Sequence, residues 1–202
     1  VTFEPAESAT KSDTGTLNMI FEAMAKLGDD LTLKPLLAES WELLDTPEKN
    51  VWQFKLRQGV KFSDGQDFTA KDVKYSFDRA ADPQNAFKGN IPGYVLPSIA
   101  FKEVEIVDDY TVNIHVENFN PDLPSYISEV WIVPEGYYSS NDLAFVAKNP
   151  VGSGPYILKE WVPDDHVTLE RNEVYWGEKP KIKTILIRPI PEKSTAIAEL
   201  LT

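Results

Sequence analysis

VWQFKLRQGVKFSDGQDFTAKDVKYSFDR, residues 51–79, carries three local structures end to end. Trp52, Phe54 and Leu56 alternate with Gln53, Lys55 and Arg57, the period-2 pattern of a strand with one face on a core. Ser63-Asp64-Gly65 follows as a turn, in which Gly65 is free to take positive φ and the Asp64 carboxylate can accept from nearby backbone N–H groups. Thr69 and Asp72 then stand at capping-box spacing, so the Thr69 hydroxyl caps a new helix and the acid at its third position faces the positive end of the helix dipole. Val73, Phe77 and Ala80 fall on one stripe of that helix. None of these residues is arranged for catalysis.

Toward the N-terminus, residues 38–44 read as a strand that forms a hairpin with residues 51–57 across 45–50. Before it, Leu17, Ile20, Phe21 and Met24 make a helical stripe that runs out near Gly28. Toward the C-terminus, residues 82–98 are rich in Pro, Gly and Asn, and predict a loop without regular structure. A second hairpin is expected from residues 102–107 and 110–116 around Asp108-Asp109, with Tyr110, Val112, Ile114 and Val116 on the core side and Thr111, Asn113, His115 and Glu117 on the wet side. Residues 121–128 and 141–148 predict short helices, 156–161, 167–171 and 181–188 predict strands, and 194–201 begins a helix. The order of elements gives α/β or α+β, with a mixed β-sheet and flanking helices. It is too irregular for a doubly wound nucleotide-binding fold, and no G-x-G-x-x-G or G-x-x-x-x-G-K-S/T run is present.

The chain has 202 residues, is 42% apolar and carries a net charge of −12, enough to bury a core and too acidic for the basic stripe that nucleic-acid binding needs. It has no cysteine, so no disulfide framework and no thiolate site are available. No apolar run approaches the ~20 residues that span a bilayer, and no export signal stands at the start, which predicts a soluble chain: a cytoplasmic protein, or the matured form of an exported one.

Signals for chemistry are sparse. His115 and His166 are the two histidines, each on the polar side of an expected strand, whereas a metal site needs at least three converging ligands. Gly152-Ser153-Gly154 lacks the G-x-S-x-G spacing of a nucleophile elbow, and backbone flexibility accounts for its glycines. With 32 acids, no single carboxylate pair is informative. Trp41, Trp52 and Phe54 belong to strand patterns and are read as core, whereas Tyr94 stands beside Gly93 in the irregular loop, where a ligand contact fits.

Six further segments join residues 51–79: IFEAM (20–24), LKPLLAESWEL (33–43), IVDDYTVNIHV (106–116), NPVGSGPYIL (149–158), LERNEVYWG (169–177) and KPKIKTILIRPIPE (179–192). In this order they resemble the periplasmic peptide- and nickel-binding family, the solute receptors of ABC importers.

The resemblance implies lobe I of a two-lobed, periplasmic-binding-protein-like (class C) fold, beginning near FEPA (3–6), ending in AIAELLT (196–202), and without lobe II. Residues 1–32 and 149–202 are expected to form part of the hinge-side sheet domain, and residues 33–148 the additional subdomain of this group. The implied function is capture of oligopeptides or dipeptides and delivery to a membrane permease, from a periplasmic or extracellular parent with or without a lipid anchor. No catalytic residue, metal or cofactor is implied. Ala9, Thr10, Lys11 and Ser12, in the loop that contacts ligand in such receptors, and Tyr94, an aromatic of the inserted subdomain, are the implied ligand-binding residues. A lobe alone is expected to bind at least a hundredfold more weakly than a complete receptor, since halving about −8 kcal/mol leaves millimolar affinity, and to dimerise through uncovered apolar surface. The alternatives are an enzyme domain, such as an acid-pair glycoside hydrolase, and an oligosaccharide receptor of the same family.

Overall fold

The structure is a computed structural model that describes residues 2–8 and 11–190. After a 3₁₀ turn at Pro5–Glu7 come helix α1 (Lys11–Ile20), a two-stranded ribbon of β1 (Ala25–Leu27) and β2 (Leu33–Pro35), and the strands β3 (Ala38–Leu43) and β4 (Val51–Leu56). Helix α2 (Ala70–Ala81) leads to the hairpin β5 (Phe101–Asp108) and β6 (Thr111–Val116). Several one-turn helices precede a last meander of β7 (Tyr156–Val162), β8 (His166–Arg171) and β9 (Thr184–Ile187). The larger sheet has the order β3-β4-β6-β5, the smaller β7-β8-β9. Helices and strands mix as expected for the class, and all pairings among the described strands are antiparallel. The helix expected at 194–201 lies outside the described residues.

The opening stretch folds as its pattern dictates. Phe54 and Leu56 of β4 are buried, paired with Trp41 and Ala38 on one side and, for Phe54, with Val112 on the other. Trp52 is half-buried, and its indole N–H donates to the Asn120 carbonyl at 3.2 Å. Gly65 takes φ +91°, and the Gln66 N–H donates to Asp64 Oδ1 at 3.1 Å. The capping box is complete: the Thr69 N–H donates to Asp72 Oδ2 at 2.8 Å, and the Lys71 N–H donates to Thr69 Oγ1 at 3.4 Å. Val73, Phe77 and Ala80 then lie in the core, with the Phe77 ring 5.4 Å from Phe101 of β5.

Three expectations need correction. The second face of β6 is not simply wet, because Thr111 and Asn113 are buried. A central strand is covered by side chains from both neighbours: Gln53 Nε2 donates to Asn113 Oδ1 at 3.0 Å, and Asn113 Nδ2 to Glu105 Oε2 at 2.8 Å. Residues 82–98 are not structureless, for they hold a 3₁₀ turn (Pro83–Asn85), a π-helical turn (Ile91–Val95) and a helical turn (Leu96–Ser98). Ile91, Val95, Leu96 and Ile99 form a buried helical stripe, and Pro92 sits in the first turn, where no N–H is needed. Thirdly, α1 ends at Ile20 although its apolar stripe continues through Phe21 and Met24. The Ile20 carbonyl accepts from the Gly154 N–H at 2.8 Å in place of the helical donor four residues on.

The same contact explains the two glycines around Ser153. A Cβ on Gly152 would stand 2.1 Å from the Ile20 carbonyl oxygen, and one on Gly154 would stand 2.6 Å from the Ile20 carbonyl carbon. Close approach of two backbones, not flexibility, requires glycine here.

Candidate functional site

A cleft of about 800 Å³ opens beside α1. One wall is α1 and the chain that leaves it, with Asn18, Phe21, Glu22 and Lys26; the facing wall carries Asn90, Tyr94, Glu129 and Trp131; Pro155 and Tyr175 close one end. The walls are pinned to each other by one side-chain and one backbone hydrogen bond. Trp131 Nε1 donates to Asn18 Oδ1 at 2.8 Å, and the Ile132 N–H donates to the Glu22 carbonyl at 2.9 Å. Within the facing wall, Asn90 Nδ2 donates to Glu129 Oε2 at 2.6 Å.

Glu22 is the anchor of this arrangement. It is 5% exposed, yet its carboxylate accepts from Ser153 Oγ (2.9 Å), the Tyr175 hydroxyl (2.8 Å) and Trp176 Nε1 (2.7 Å). Burial lifts its pKa above the usual carboxylate value, against the opposing pull of those three donors. Burial, with the Glu22 carboxylate close by, raises the Tyr175 hydroxyl as well. The Trp176 ring is in turn covered by the Arg57 guanidinium at 4.9 Å, and Arg57 Nε donates to the Leu36 carbonyl at 3.0 Å. One buried acid thus holds α1, the glycine-flanked serine and the Tyr175-Trp176 turn together.

Tyr94 does stand at the cleft, 55% exposed, on the π-helical turn and 6.2 Å from the Tyr126 ring. Ala9 and Thr10 lie outside the described residues; Lys11 and Ser12 open α1, with side chains likewise outside them. Thr14 and Asn18, further along the same helix, line the cleft. Sequence reasoning missed Asn18, Glu22, Trp131 and Tyr175. A signal for Glu22 existed, as a lone acid within the apolar stripe IFEAM; no local signal marks the others.

A second cavity, of about 400 Å³, lies at the C-terminal end of α2. Its centre is Arg79, which forms a bidentate pair with the buried Glu4 at 2.7 and 2.6 Å and is stacked on Phe87 (4.7 Å) and Tyr138 (5.2 Å). Both charges are matched inside the fold. His115 faces Glu105 (3.1 Å), and His166 faces Asp165 (2.9 Å) and Glu160 (3.3 Å). Among the described residues no three His, Cys, Asp or Glu side chains converge as a metal site would require.

The sequence pattern described as bacterial extracellular solute-binding proteins, family 5 (middle), matches residues 32–202. The glutathione-binding protein GsiB of Salmonella paratyphi A is 31% identical over the whole chain, which covers 38% of that protein. NikZ from Campylobacter jejuni, solved in complex with Ni(L-His), superposes with a TM-score of 0.87 at 27% identity, over 100% of this chain and 39% of its own. OppA of Haemophilus influenzae, solved with the peptide RPPGFSPFR, gives a TM-score of 0.88 at 27% identity, over 99% of this chain and 42% of its own. The chain therefore spans about two-fifths of these relatives' length. With the pattern over 32–202 and a shared fold throughout, this chain belongs to the family 5 bacterial extracellular solute-binding proteins.

Proposed function

We propose that the chain is the solute-receiving lobe of an extracytoplasmic receptor that hands a peptide or peptide-like solute to an ABC permease. The cleft carries this reading: it is concave, roomy at about 800 Å³, walled by Tyr94, Trp131 and Phe21, and dotted with amides and hydroxyls from Asn18, Asn90 and Ser128. Aromatic faces with a few placed polar groups suit a solute that has both a backbone and side chains. The relatives named above bind glutathione, a nickel–histidine complex and a nonapeptide respectively, so the scaffold tolerates several solutes, and peptides are the class this lining favours. Ala9, Thr10, Lys11 and Ser12 join the site as the segment entering α1, just before the cleft-lining Thr14 and Asn18.

The division at residues 33–148 is part of the same proposal. All four strands β3–β6 fall inside that range and β7–β9 beyond it, while the ribbon of β1 and β2 straddles its start. An extracytoplasmic place accords with the family, and among the described residues no helix is long and apolar enough to cross a membrane. No observation favours an acid-pair enzyme: Glu22 has both carboxylate oxygens committed to structural donors.

Tyr94→Ala is the test. Half-exposed and touching one ring, Tyr94 contributes little to folding, so the melting temperature should hold while peptide affinity, read by NMR titration to millimolar concentration, falls about tenfold, the effect of losing roughly 1.4 kcal/mol. Unchanged affinity would remove the cleft from the account.

A further inference from the structure

Beside the buried Glu22, the cleft wall carries a charge that no described side chain pairs with directly. The ribbon register sets Lys26 of β1 directly opposite Lys34 of β2, and like charges facing across a strand pair repel. The two lysines are treated differently. Lys34 Nζ is neutralised by Asp30 Oδ2 at 2.9 Å, and that ammonium holds the Asp30 carboxyl down at about 2. Lys26 forms no ion pair or hydrogen bond with the described residues. The buried Glu22, close enough to feel the Lys26 charge, has both oxygens taken by Ser153, Tyr175 and Trp176. The other acid of the cleft, Glu129, holds Asn90 on the facing wall.

In a chain with 32 acids and 20 lysines and arginines, a partner for Lys26 would be easy to supply. Instead the cross-strand repulsion stays half-relieved at the one position of the pair whose side chain lines the cleft. A local rule broken at a cavity wall is what a functional group looks like. Among the described residues that line the cleft, Lys26 is also the one cation. Its flexible stem and compact ammonium suit a carboxylate whose exact position varies between solutes.

We infer that Lys26 anchors an anionic group of the solute, so that the cleft selects ligands bearing a free carboxylate. The inference rests on the receptor reading and adds to it a charge requirement supplied by this lobe. Glu129, with Oε1 free of any described donor, would face the opposite end of a zwitterion.

The experiment uses a pool of tripeptides with free C-termini and the same pool C-terminally amidated, with binding read by native mass spectrometry. The proteins are wild type, Lys26→Met, which keeps the aliphatic stem, and Lys26→Arg, which keeps the charge. Wild type should take the free acids at least tenfold better than the amides, Lys26→Met should bind the two pools alike, and Lys26→Arg should restore the preference. Lys26 is exposed, so folding should be untouched, which circular dichroism checks. Equal binding of both pools by wild type, or an undiminished preference in Lys26→Met, overturns the anchor and leaves the receptor reading standing. Failure of wild type to bind either pool overturns both.

Discussion

Replacing Glu22 separates two roles that a buried acid can have, charge and connection. In Glu22→Ala, Ser153 Oγ, the Tyr175 hydroxyl and Trp176 Nε1 all lose their acceptor. The indole N–H has no alternative to donating, and the fully buried Ser153 hydroxyl is out of reach of water, while the Tyr175 hydroxyl at the cleft exchanges a charged acceptor for solvent. Three hydrogen bonds to a charged group amount to roughly 5 kcal/mol gross, and relief from burying the carboxylate returns about 2, leaving a loss of about 3 kcal/mol. Glu22→Gln should behave differently. Its remaining oxygen can accept from Trp176 and Ser153, which already share Oε2, while its NH₂ donates to the Tyr175 hydroxyl, which can accept as well as donate. The network stays closed without a buried charge, so stability at neutral pH should change by less than about 1 kcal/mol. The pH dependence has a definite sign. Because the folded-state pKa is raised, the unfolded chain ionises first, at the ordinary glutamate value. Wild-type stability therefore falls as pH rises from there to the folded pKa, then levels, whereas Glu22→Gln lacks this fall. Urea melts between pH 4 and 8 read both effects. Glutamine as damaging as alanine, or alanine harmless, would refute the hydrogen-bond account.

Gly154→Ala should cost at least about 2 kcal/mol, because its Cβ would meet the backbone of Met19 and Ile20 at 2.6 Å and neither can move without unpicking the end of α1; a melting temperature within a degree of wild type would contradict this. Arg79→Met leaves the 1% exposed Glu4 side chain as an unpaired buried charge, and should destabilise by about 3 kcal/mol, while the double change Glu4→Gln with Arg79→Met should recover part of that loss. Denaturant titration of Arg79→Met, Glu4→Gln and the double variant checks it, and strict additivity would show that the pair is not coupled.

What could be read in advance follows the distance over which each signal acts. The strand, turn and capped helix of residues 51–79 were legible because alternation, Gly65 and the Thr69–Asp72 box all act within four positions. Tyr94 lines the cleft from a helical turn, not from the irregular loop that its Pro-, Gly- and Asn-rich surroundings suggest. The π-helical turn that carries it was hidden because Pro92 and Pro97 look like breakers, although the first costs nothing at a helix start and burial of Ile91, Val95 and Leu96 outweighs the second. The Glu22 knot was not legible, since its donors lie at Ser153, Tyr175 and Trp176 and no local pattern links a lone acid in one helix exit to a tryptophan so far along the chain. The glycines at 152 and 154 look merely flexible in sequence for the same reason, their constraint being the Ile20 carbonyl of another element.

The Glu22–Ser153 hydrogen bond joins positions 131 apart in sequence, and the Ile20–Gly154 bond closes the same ring of chain. Everything from β1 to the one-turn helix at Leu143–Val146 is a loop returning to its own starting point. The entropy of closing such a loop grows only with the logarithm of its length, so doubling it adds about 0.6 kcal/mol. The region between the two ties can therefore lengthen, shorten or be exchanged for another folded insert at small thermodynamic expense, provided the clamp at its neck is kept. The same long closure has a kinetic side: the neck cannot form until its two distant ends meet, so the cleft floor is expected to be among the last parts of the molecule to assemble.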